Sequence, residues 1–466
     1  MPADPDAVAR CVLAAFDALP SKSQPRPGEW VPLAGVVVRL SKSRYSQSLQ
    51  NSTCPPVEES ARPGLTCVAL GTGMKCLPSA KIPLANGVIL HDWHAEVLAL
   101  RAFNRFLVEE CARLVSADCA ASDLIRLRDE ADISEKCPQP FALQDDAEIY
   151  LYCSEAPCGD ASMELTMQAQ EDATPWDLPP KSTETSDVDS TEESLRGRGY
   201  FSELGIVRRK PGRPDAPPTL SKSCTDKIAM KQCTSLLNAV TALLVSPKNA
   251  YLEALVLPDS QHVPDASERA FGPKGRMSTI SPKLTRNWVH GGYDFCPFEV
   301  CTTLQEFAWS RRSGQLQNQK LVPSNISALY TAHHNETLIN GVLQGRKQTD
   351  PKGASVISRS GLWKSAVEVA KQLPDSHVGA ELIKVLSSSS DYGDLKRSKL
   401  LQLRQQVKDD CKKNALKGWI PNRDDDNFDL SILEKGKRQD KPAPHPKIDD
   451  LQDLGQKGPD LLSKSS

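Results

Sequence analysis

The pairing of His94 with Glu96 is the residue pattern of this chain with the clearest chemical meaning. Both lie in the segment His91-Asp-Trp-His-Ala-Glu-Val-Leu-Ala-Leu-Arg101. An imidazole can help to hold a metal ion, and a separate carboxylate can move protons to and from a water molecule that the metal activates. The spacing alone is weak, because a chain with eight histidines contains a chance His-x-Glu about as often as not. The pattern therefore needs further ligands.

Two of the fourteen cysteines are candidates to join His94, since catalytic zinc sites commonly use three protein ligands and leave a fourth position for water. Cys158 follows a strand-like run, and Cys224 opens a helix-like run with Lys227 close by. Both settings favour the thiolate form that binds metal. Other cysteines lie in apolar, strand-like runs and are interpreted as core residues: Cys67, Cys76 and Cys153.

The spacing of these motifs departs from that of the small zinc deaminases. Those enzymes carry His-x-Glu followed by Pro-Cys-x-x-Cys, with the Glu as general acid and base rather than as a ligand, whereas Ala161 stands where the second Cys would fall. The chain instead resembles the eukaryotic adenosine deaminases that act on RNA, which use His-Ala-Glu, Pro-Cys-Gly and a distant Ser-Cys-Ser-Asp-Lys. The matching motifs occur in that order: His94-Ala-Glu96, Pro157-Cys-Gly159 and Ser223-Cys-Thr-Asp-Lys227.

Further segments extend this resemblance over residues 5 to about 430. They are a strand with a Gly-Thr-Gly-Met-Lys-Cys loop at 65–76, a Pro-rich loop at 210–218, Tyr392-Gly-Asp-Leu-Lys396, and Gly418-Trp419. The resemblance implies an α/β fold, namely a cytidine-deaminase-like three-layer αβα core with added C-terminal helices.

The resemblance also implies a chemistry for the motif residues. His94, Cys158 and Cys224 are expected to hold one zinc ion, and Glu96 is expected to be the catalytic general acid and base in the hydrolytic deamination of adenosine to inosine. The residues alone leave an alternative open. In that alternative the zinc site is closed and structural, and Glu96 is an ordinary helix residue.

The expected substrate is transfer RNA. Editors of double-stranded messenger RNA carry separate RNA-binding domains ahead of the deaminase, and fewer than about thirty residues precede the first predicted strand here. Together with the loop at 210–218, this points to the branch that acts on the adenosine just 3′ of the anticodon in alanine tRNA. The alternatives are a deaminase of other structured or messenger RNA, a non-catalytic RNA-binding relative, and a free nucleoside deaminase, which Ala161 disfavours.

The predicted RNA contacts lie near the motifs. Adenosine in a folded RNA must be turned out of its base stack before it can react. Four positive charges fall within six residues of the loop that precedes Cys224: Arg208, Arg209, Lys210 and Arg213. By resemblance, Thr72 and Lys75 line the nucleotide pocket, with Met74 standing where relatives often have Thr. The alternative for the loop is a solvated surface run.

Relatives in the messenger-editing branch hold inositol hexakisphosphate beneath the active site, and this chain is expected to hold it too. The matching positions are Arg101, Lys227, Lys364, Tyr392, Lys396 and Trp419. Departures occur at Leu100, Met230-Lys231, Gln402 and Gln406, where the family pattern has other residues. Asp92 and Lys227 are predicted to form a relay between the zinc site and this polyanion.

Composition sets the wider expectations. The 466 residues carry a net charge of −2, so RNA contacts must come from local patches rather than from an overall basic field.

We expect one deaminase domain over residues 1–435, with a disordered acidic insertion at 168–195 and a disordered tail at 436–466. Without an apolar run of membrane length or a basic signal-like start, we expect an intracellular protein of the nucleus or cytoplasm, with reduced thiols, no membrane association and no evident obligate protein partner.

Hydrophobic periodicity predicts the elements that position the motifs. Residues 7–19 and 94–115 read as helices, and 30–40, 65–70 and 147–153 as buried strands. Residues 259–279 read as an exposed loop and 288–302 as a hairpin. Helices are expected at 362–373, 380–386 and 392–416.

Overall fold

A computed structural model describes residues 3–40, 64–116, 122–175, 200–210, 216–316, 320–373, 377–422 and 425–430. Its strands are β1 Glu29–Trp30, β2 Leu33–Arg39, β3 Leu65–Thr72, β4 Met74–Cys76, β5 Asp92–His94, β6 Ile125–Leu127, β7 Phe141–Leu143, β8 Glu148–Cys153, β9 Ala254–Pro258, β10 Glu299–Thr303, β11 Val322–Pro323, β12 Ser327–Thr331, β13 Asn335–Ile339 and β14 Val342–Leu343. Its helices are α1 Pro5–Asp17, α2 Ala95–Val115, α3 Met163–Gln168, α4 Cys224–Thr234, α5 Thr241–Leu244, α6 Pro264–Phe271, α7 Pro282–Thr285, α8 Arg311–Leu316, α9 Arg359–Ala370, α10 His377–Ser388, α11 Tyr392–Arg397 and α12 Gln402–Asn414.

An eight-stranded mixed sheet forms the centre of the fold, in the order β10-β9-β8-β2-β3-β12-β13-β14. The strands from β8 to β10 run parallel, and the pairs from β8 through β2, β3 and β12 to β14 are antiparallel. Strands β2 and β3 are buried along nearly their whole length, because helices cover both faces of the sheet.

The two faces of the sheet carry separate apolar cores. On one face, α1 packs Val8, Val12 and Phe16 against Val37 and Tyr152. On the other face, α2 and the C-terminal helices build the larger core around α2. This arrangement confirms the predicted α/β class with three αβα layers and added C-terminal helices.

Three predicted elements differ from the structure. Residues 259–279 contain α6, whose Ala266, Ala270 and Phe271 are buried, rather than only an exposed loop. Residues 288–302 do not form a hairpin, because Glu299–Thr303 pairs in parallel with β9. The expected long helix at 392–416 is interrupted between α11 and α12 by a 3-10 turn at Lys399–Leu401. Local periodicity did not reveal these outcomes, since each depends on distant partners.

The predicted acidic insertion begins within the described residues. Helix α3 ends at Gln168, and residues 169–175 are exposed. Residues 176–195 and the predicted tail at 436–466 lie outside the described residues. Among the described helices, none combines the length and the apolar character that crossing a bilayer requires.

Candidate active site

His94 stands at the junction of β5 and α2. It pairs with Met74 of β4 across a short antiparallel hairpin and forms the N-cap position of α2. Helix α2 approaches the sheet closely at Gly71, where a Cβ would lie 2.4 Å from Cβ of Leu98. The absence of that side chain lets the helix pack tightly on β3 and so sets the position of His94.

Glu96 lies in the first turn of the same helix, two residues after His94. Its side chain is buried, with 7 % exposure. Burial raises the pKa of its carboxyl group, and the neighbouring Cys158 sulfur adds to the effect. A carboxyl group with a raised pKa can both take and return a proton near neutral pH, as a general acid and base must.

Cys158 and Cys224 meet through the contact of two loops. Gly159 has φ +116°, and a Cβ there would lie 2.3 Å from Oγ of Ser223, so only glycine lets the loops close. The backbone N–H of Thr225 donates to the carbonyl of Cys158 at 3.1 Å, and its hydroxyl donates to the carbonyl of Pro157 at 2.9 Å. These bonds hold the N-terminus of α4 against the loop after β8.

The three predicted ligands converge. The ligand atoms of His94, Cys158 and Cys224 all lie within 4.8 Å of one another, and Nδ1 of His94 is 3.8 Å from Sγ of Cys158. One imidazole nitrogen and two sulfurs form a donor set that suits zinc, and three ligands leave a fourth position open. The residues therefore fit a metal ion of this kind.

The surroundings favour ionised sulfur at Cys158, whereas burial raises the pKa of the Cys224 thiol well above its usual value. A hydrogen bond from the Cys224 thiol holds the pKa of the Cys158 thiol well below its usual range, and Lys210 and His94 lower it further. The backbone N–H of Cys224 lies 3.4 Å from the same sulfur. Both a cation and a helix N-terminus stabilise thiolate at this point.

Asp92 connects the cluster to two lysines. Its carboxylate accepts from Lys210 Nζ at 2.9 and 3.2 Å, from the Ser221 hydroxyl at 2.6 Å, and from Lys227. Burial would raise the pKa of Asp92, but the Lys210 and Lys227 ammonium groups hold it well below its usual value. Since Lys210 also reaches Sγ of Cys224 at 3.2 Å, the predicted Asp92 and Lys227 pair extends through Lys210 to a ligand.

Comparison with known proteins agrees with this arrangement. The profile of the adenosine-deaminase (editase) domain family matches residues 69–423. The chain belongs to this family of adenosine deaminases. It is 35 % identical over 425 residues to tRNA-specific adenosine deaminase 1 of Schizosaccharomyces pombe, covering 89 % of this chain and 94 % of that protein. It is 32 % identical to the Saccharomyces cerevisiae protein of the same name over 77 % of this chain and 81 % of that one. The mouse double-stranded RNA-specific editase B2 is 25 % identical over 49 % of this chain and 32 % of its own length.

Two buried ion pairs brace the cysteine loops of this editase domain. Arg269 of α6 binds Asp160, which is fully buried two residues after Cys158. Arg276 binds Asp226, which is fully buried two residues after Cys224, at 2.5 Å. The segment from α6 to Arg276 was predicted to be an exposed loop, so sequence reasoning missed both braces.

A second cluster of cations lies between α4 and α12. Burial, together with neighbouring cations, lowers the pKa of Lys222 and of Lys408 to about 7. Burial likewise lowers the pKa of Lys231, with Arg404 and Lys408 as its nearest charged neighbours. Lys222 is buried, and Lys231, Arg404 and Lys408 are half-buried. Cations that repel one another away from bulk water call for an anion.

Unpaired polar atoms point to the same place. Among the described residues, Nε of Arg101, Nε of Arg404 and both side-chain polar atoms of Gln232 are buried without a hydrogen-bond partner. Buried polar groups are otherwise almost always paired. The donors and positive charges of this cluster therefore fit a polyanion.

Most of the residues predicted for the polyanion lie at or near this cluster. Arg101 is half-buried beside Tyr392 and Arg359. Trp419 lies under Lys222, whose Nζ is 5.7 Å from the ring centre, and Lys396 lies 5.9 Å from the ring of Tyr392. Lys227 binds Asp92, and Lys364 is half-buried on α9.

Sequence reasoning did not assign three cations of this cluster to the anion site: Lys231, Arg404 and Lys408. Lys231 directly follows Met230, and Arg404 and Lys408 each lie two residues beyond the departures at Gln402 and Gln406. A shift of one or two residues along a helix can still leave a long side chain within reach of the same place. A search for cations around the departures, rather than at the family positions, could have found them.

The predicted RNA contacts divide in the structure. Arg208 and Lys210 are buried, with 2 % and 4 % exposure, contrary to the expectation of a loop directed at RNA. Arg208 donates to the carbonyls of Tyr200 and Glu203, and Lys210 faces the metal cluster. Arg209 is half-buried, and Arg213 lies outside the described residues.

The two predicted pocket residues behave differently from each other. Thr72 is buried, and its hydroxyl accepts from the backbone N–H of Ala328 at 2.8 Å, so it serves the contact between β3 and β12. Lys75 is partly exposed on β4 and donates to the side chain of Asn325. Of these two residues, Lys75 carries a charge, and it lies on the strand that pairs with β5.

Cys76 is also a neighbour of the metal cluster rather than only a core residue. Its sulfur, a carboxylate oxygen of Asp92 and a ring nitrogen of His94 lie within 4.8 Å of one another. Because two lysines already bind the Asp92 carboxylate, this set suits a metal less well than His94 with the two other cysteines.

Proposed function

We propose that this chain is a zinc-dependent tRNA adenosine deaminase that converts adenosine to inosine. The observation that carries the proposal is the convergence of His94, Cys158 and Cys224 within 4.8 Å, directly beside the buried Glu96. A closed structural site would not need a buried carboxyl group with a raised pKa beside its ligands.

The donor set assigns roles to these residues. His94, Cys158 and Cys224 hold the zinc ion, which when bound lowers the pKa of a water molecule and so supplies the nucleophile for C6 of adenine. Glu96 would move two protons in turn: the first from the water to a nitrogen of the purine ring, and the second from the new C6 hydroxyl to the amino group, which leaves as ammonia. Lys210 and Asp92 orient Cys224 and fix the charge around it.

Transfer RNA is the substrate that the relatives support. Two proteins named tRNA-specific adenosine deaminase 1 align over most of both chains, whereas the double-stranded RNA editase aligns over about half of this one. By resemblance, we further propose that the target is the adenosine 3′ of the anticodon in alanine tRNA. An unpaired anticodon-loop base is easier to turn out than a paired one.

We propose inositol hexakisphosphate as the anion of the second cluster. Its phosphates would neutralise Lys222, Lys231, Arg404 and Lys408 and would accept from Arg101. Mass spectrometry of the denatured, purified protein is expected to release one inositol hexakisphosphate per chain. A preparation that is fully active and releases no inositol phosphate contradicts this assignment.

We also propose that residues 1–435 form one editase domain. The family match at 69–423 and the two cores that share one sheet support this extent.

The decisive experiment incubates the purified chain with total tRNA and with double-stranded RNA, and maps new inosines by sequencing. Inosine is expected beside the alanine anticodon, and it should vanish with a zinc chelator and return when zinc is added. Glu96→Gln should retain zinc and lose at least a hundredfold of the rate, whereas the exposed Glu368→Gln should match the parent. Inosine in double-stranded RNA alone would overturn the tRNA assignment, and an active Glu96→Gln would overturn the role of Glu96.

A further inference from the structure

A group of exposed cations lies on two segments that are far apart in the chain. Lys81 belongs to the 3-10 turn Ser79–Leu84, and Arg346, Lys347 and Lys352 belong to the segment 344–353 after β14. All four side chains are exposed, and Asp350 is the sole acidic residue in these two segments. We call these four residues the rim cations.

Hydrogen bonds join the two segments into one surface. Lys81 Nζ donates to Oε1 of Gln348 at 3.2 Å. The amide nitrogen of Gln348 donates in turn to the carbonyl of Asn340 at 2.8 Å. The rim cations are therefore one patch rather than two separate surface runs.

This patch is attached to the strands that carry His94. Lys81 follows the end of β4 by five residues, and β4 pairs with β5 so that Met74 lies opposite His94. On the other side, Leu90 N–H donates to the carbonyl of Gly341 at 2.9 Å, two residues before β5 begins. Both segments are thus attached to the hairpin that carries His94.

Lys75 lies on β4, in the same pair of strands as His94. Its ammonium group binds Asn325, just before β12. Ser327 of β12 pairs with Leu338 of β13, so residue 325 and the turn at Asn340 lie at the same end of the sheet. Lys75, on the strand paired with β5, therefore contacts the end of the sheet from which the segment of the rim cations extends.

The segment that carries most of the rim cations is compactly folded. Asp350 N–H donates to the carbonyl of Lys347 at 3.0 Å, and the Asp350 side chain caps the turn at Lys352 at 2.9 Å. A Cβ at Gly353 would lie 3.0 Å from Cβ of Arg346. The backbone is held in place, so little ordering is needed when these cations bind a ligand.

We propose that the rim cations bind the phosphodiester backbone of the RNA beside the nucleotide that enters the active site, an inference that rests on the proposed function. Exposed Lys and Arg side chains position nucleic acid through its phosphates and carry no base specificity. The chain as a whole is slightly acidic, so attraction of a polyanionic substrate must come from a local patch such as this one. The buried Arg208 and Lys210 do not offer it.

The test compares two sets of four substitutions. The rim variant combines Lys81→Gln, Arg346→Gln, Lys347→Gln and Lys352→Gln, and the control variant makes the same change at four other exposed lysines: Lys248, Lys274, Lys371 and Lys384. The rim variant should raise KM for tRNA about tenfold or more with kcat nearly unchanged. Its plot of log kcat/KM against log salt should be shallower by about 3, since each lost phosphate contact removes about 0.7–0.9. The control variant should show a much smaller rise in KM and a much smaller change in the salt slope.

Several outcomes decide the inference. Equal KM and salt slope in the rim variant and the parent overturn it, as does an equal loss in both variants. A parent chain that makes no inosine in tRNA indicates failure of the proposed function instead. A measurement that needs no rim variant is acetylation of lysines with and without tRNA bound to Glu96→Gln. Lys81 and Lys347 should be protected and Lys371 should not, and equal labelling of all three contradicts the proposal.

Discussion

The ammonium nitrogen of Lys210 lies 3.2 Å from Sγ of Cys224 and 2.9 Å from Oδ2 of Asp92. This lysine is buried, so its charge is compensated by the two groups that it touches. It joins a metal-ligand candidate to the carboxylate that also binds Lys227. A residue first interpreted as a contact for RNA is thus a structural neighbour of the chemistry.

Lys210→Met is expected to weaken zinc binding about 10- to 100-fold, because groups that orient metal ligands contribute on that scale. Asp92 would also lose a buried partner. Zinc affinity is measured by competition with a chromophoric chelator, and Lys371→Met on the exposed surface serves as control. Unchanged zinc affinity in Lys210→Met would show that the contact with Cys224 does not orient the ligand.

Gly159→Ala is expected to abolish tight zinc binding. Its Cβ would enter the space of Ser223 Oγ, 2.3 Å away, and force apart the loops that carry Cys158 and Cys224. Gly28→Ala is the matched control, because φ is +85° there and nothing lies within 4 Å. It should cost only backbone strain of about 1–3 kcal/mol. Zinc content after dialysis measures the loss of the metal site, and unfolding in urea measures the loss of stability. Equal zinc content in both variants contradicts the prediction.

Arg276→Met is expected to destabilise the fold by about 3–5 kcal/mol, because it leaves the carboxylate of Asp226 buried without its cation. The exposed pair of Lys371 with Glu368 is the control, where Lys371→Met should cost about 1 kcal/mol or less. The free energy of unfolding in urea measures both. A cost for Arg276→Met within the range of the control would show that the brace contributes little.

The stability of the anion-free protein should rise with pH between about 7 and 10. In the folded chain the pKa of Lys222 and of Lys408 is lowered to about 7 from an ordinary value of 10.5. Between these values the unfolded chain binds more protons, so raising the pH favours the folded state. Below about pH 7 both states are protonated and the penalty of the buried charges is complete.

Inositol hexakisphosphate should reverse this dependence, since it stabilises the charged lysines. Its shift of the melting temperature is expected to be larger at pH 7 than at pH 9, and binding should take up protons at the higher pH. Isothermal titration in two buffers of different ionisation enthalpy measures the uptake. Lys408→Met should reduce both the pH dependence and the uptake, whereas Lys371→Met should leave them unchanged. Binding of inositol hexakisphosphate with no proton uptake at pH 9 would contradict the coupling between binding and protonation of these lysines.

Much of the metal site could be predicted because each ligand sits in a short motif with its own local reason. His94 opens a helix, Cys158 precedes a glycine with positive φ, and Cys224 begins a helix capped by Ser223. Such features depend on residues that are close together in the chain, so they can be recognised from the sequence. The order of the motifs and the substitution at Ala161 then indicated the class of deaminase.

Other features depended on contacts between distant residues. The parallel pairing of Glu299–Thr303 with β9 and the burial of α6 replaced a predicted hairpin and loop. Nothing within those segments reveals which strand or loop they will meet, because local pattern is shared by several environments.

The sequence by itself determined the chemistry: a histidine, two cysteines and a carboxyl group in an order that identifies an RNA adenosine deaminase. Only the tertiary structure decided the roles of the cations. Lys210 lies buried against Cys224. Lys231, Arg404 and Lys408 form a half-buried cluster, and the exposed Lys81 contacts Gln348. The sequence shows which residues are charged, but the function of each depends on how deeply it is buried and on which groups it contacts.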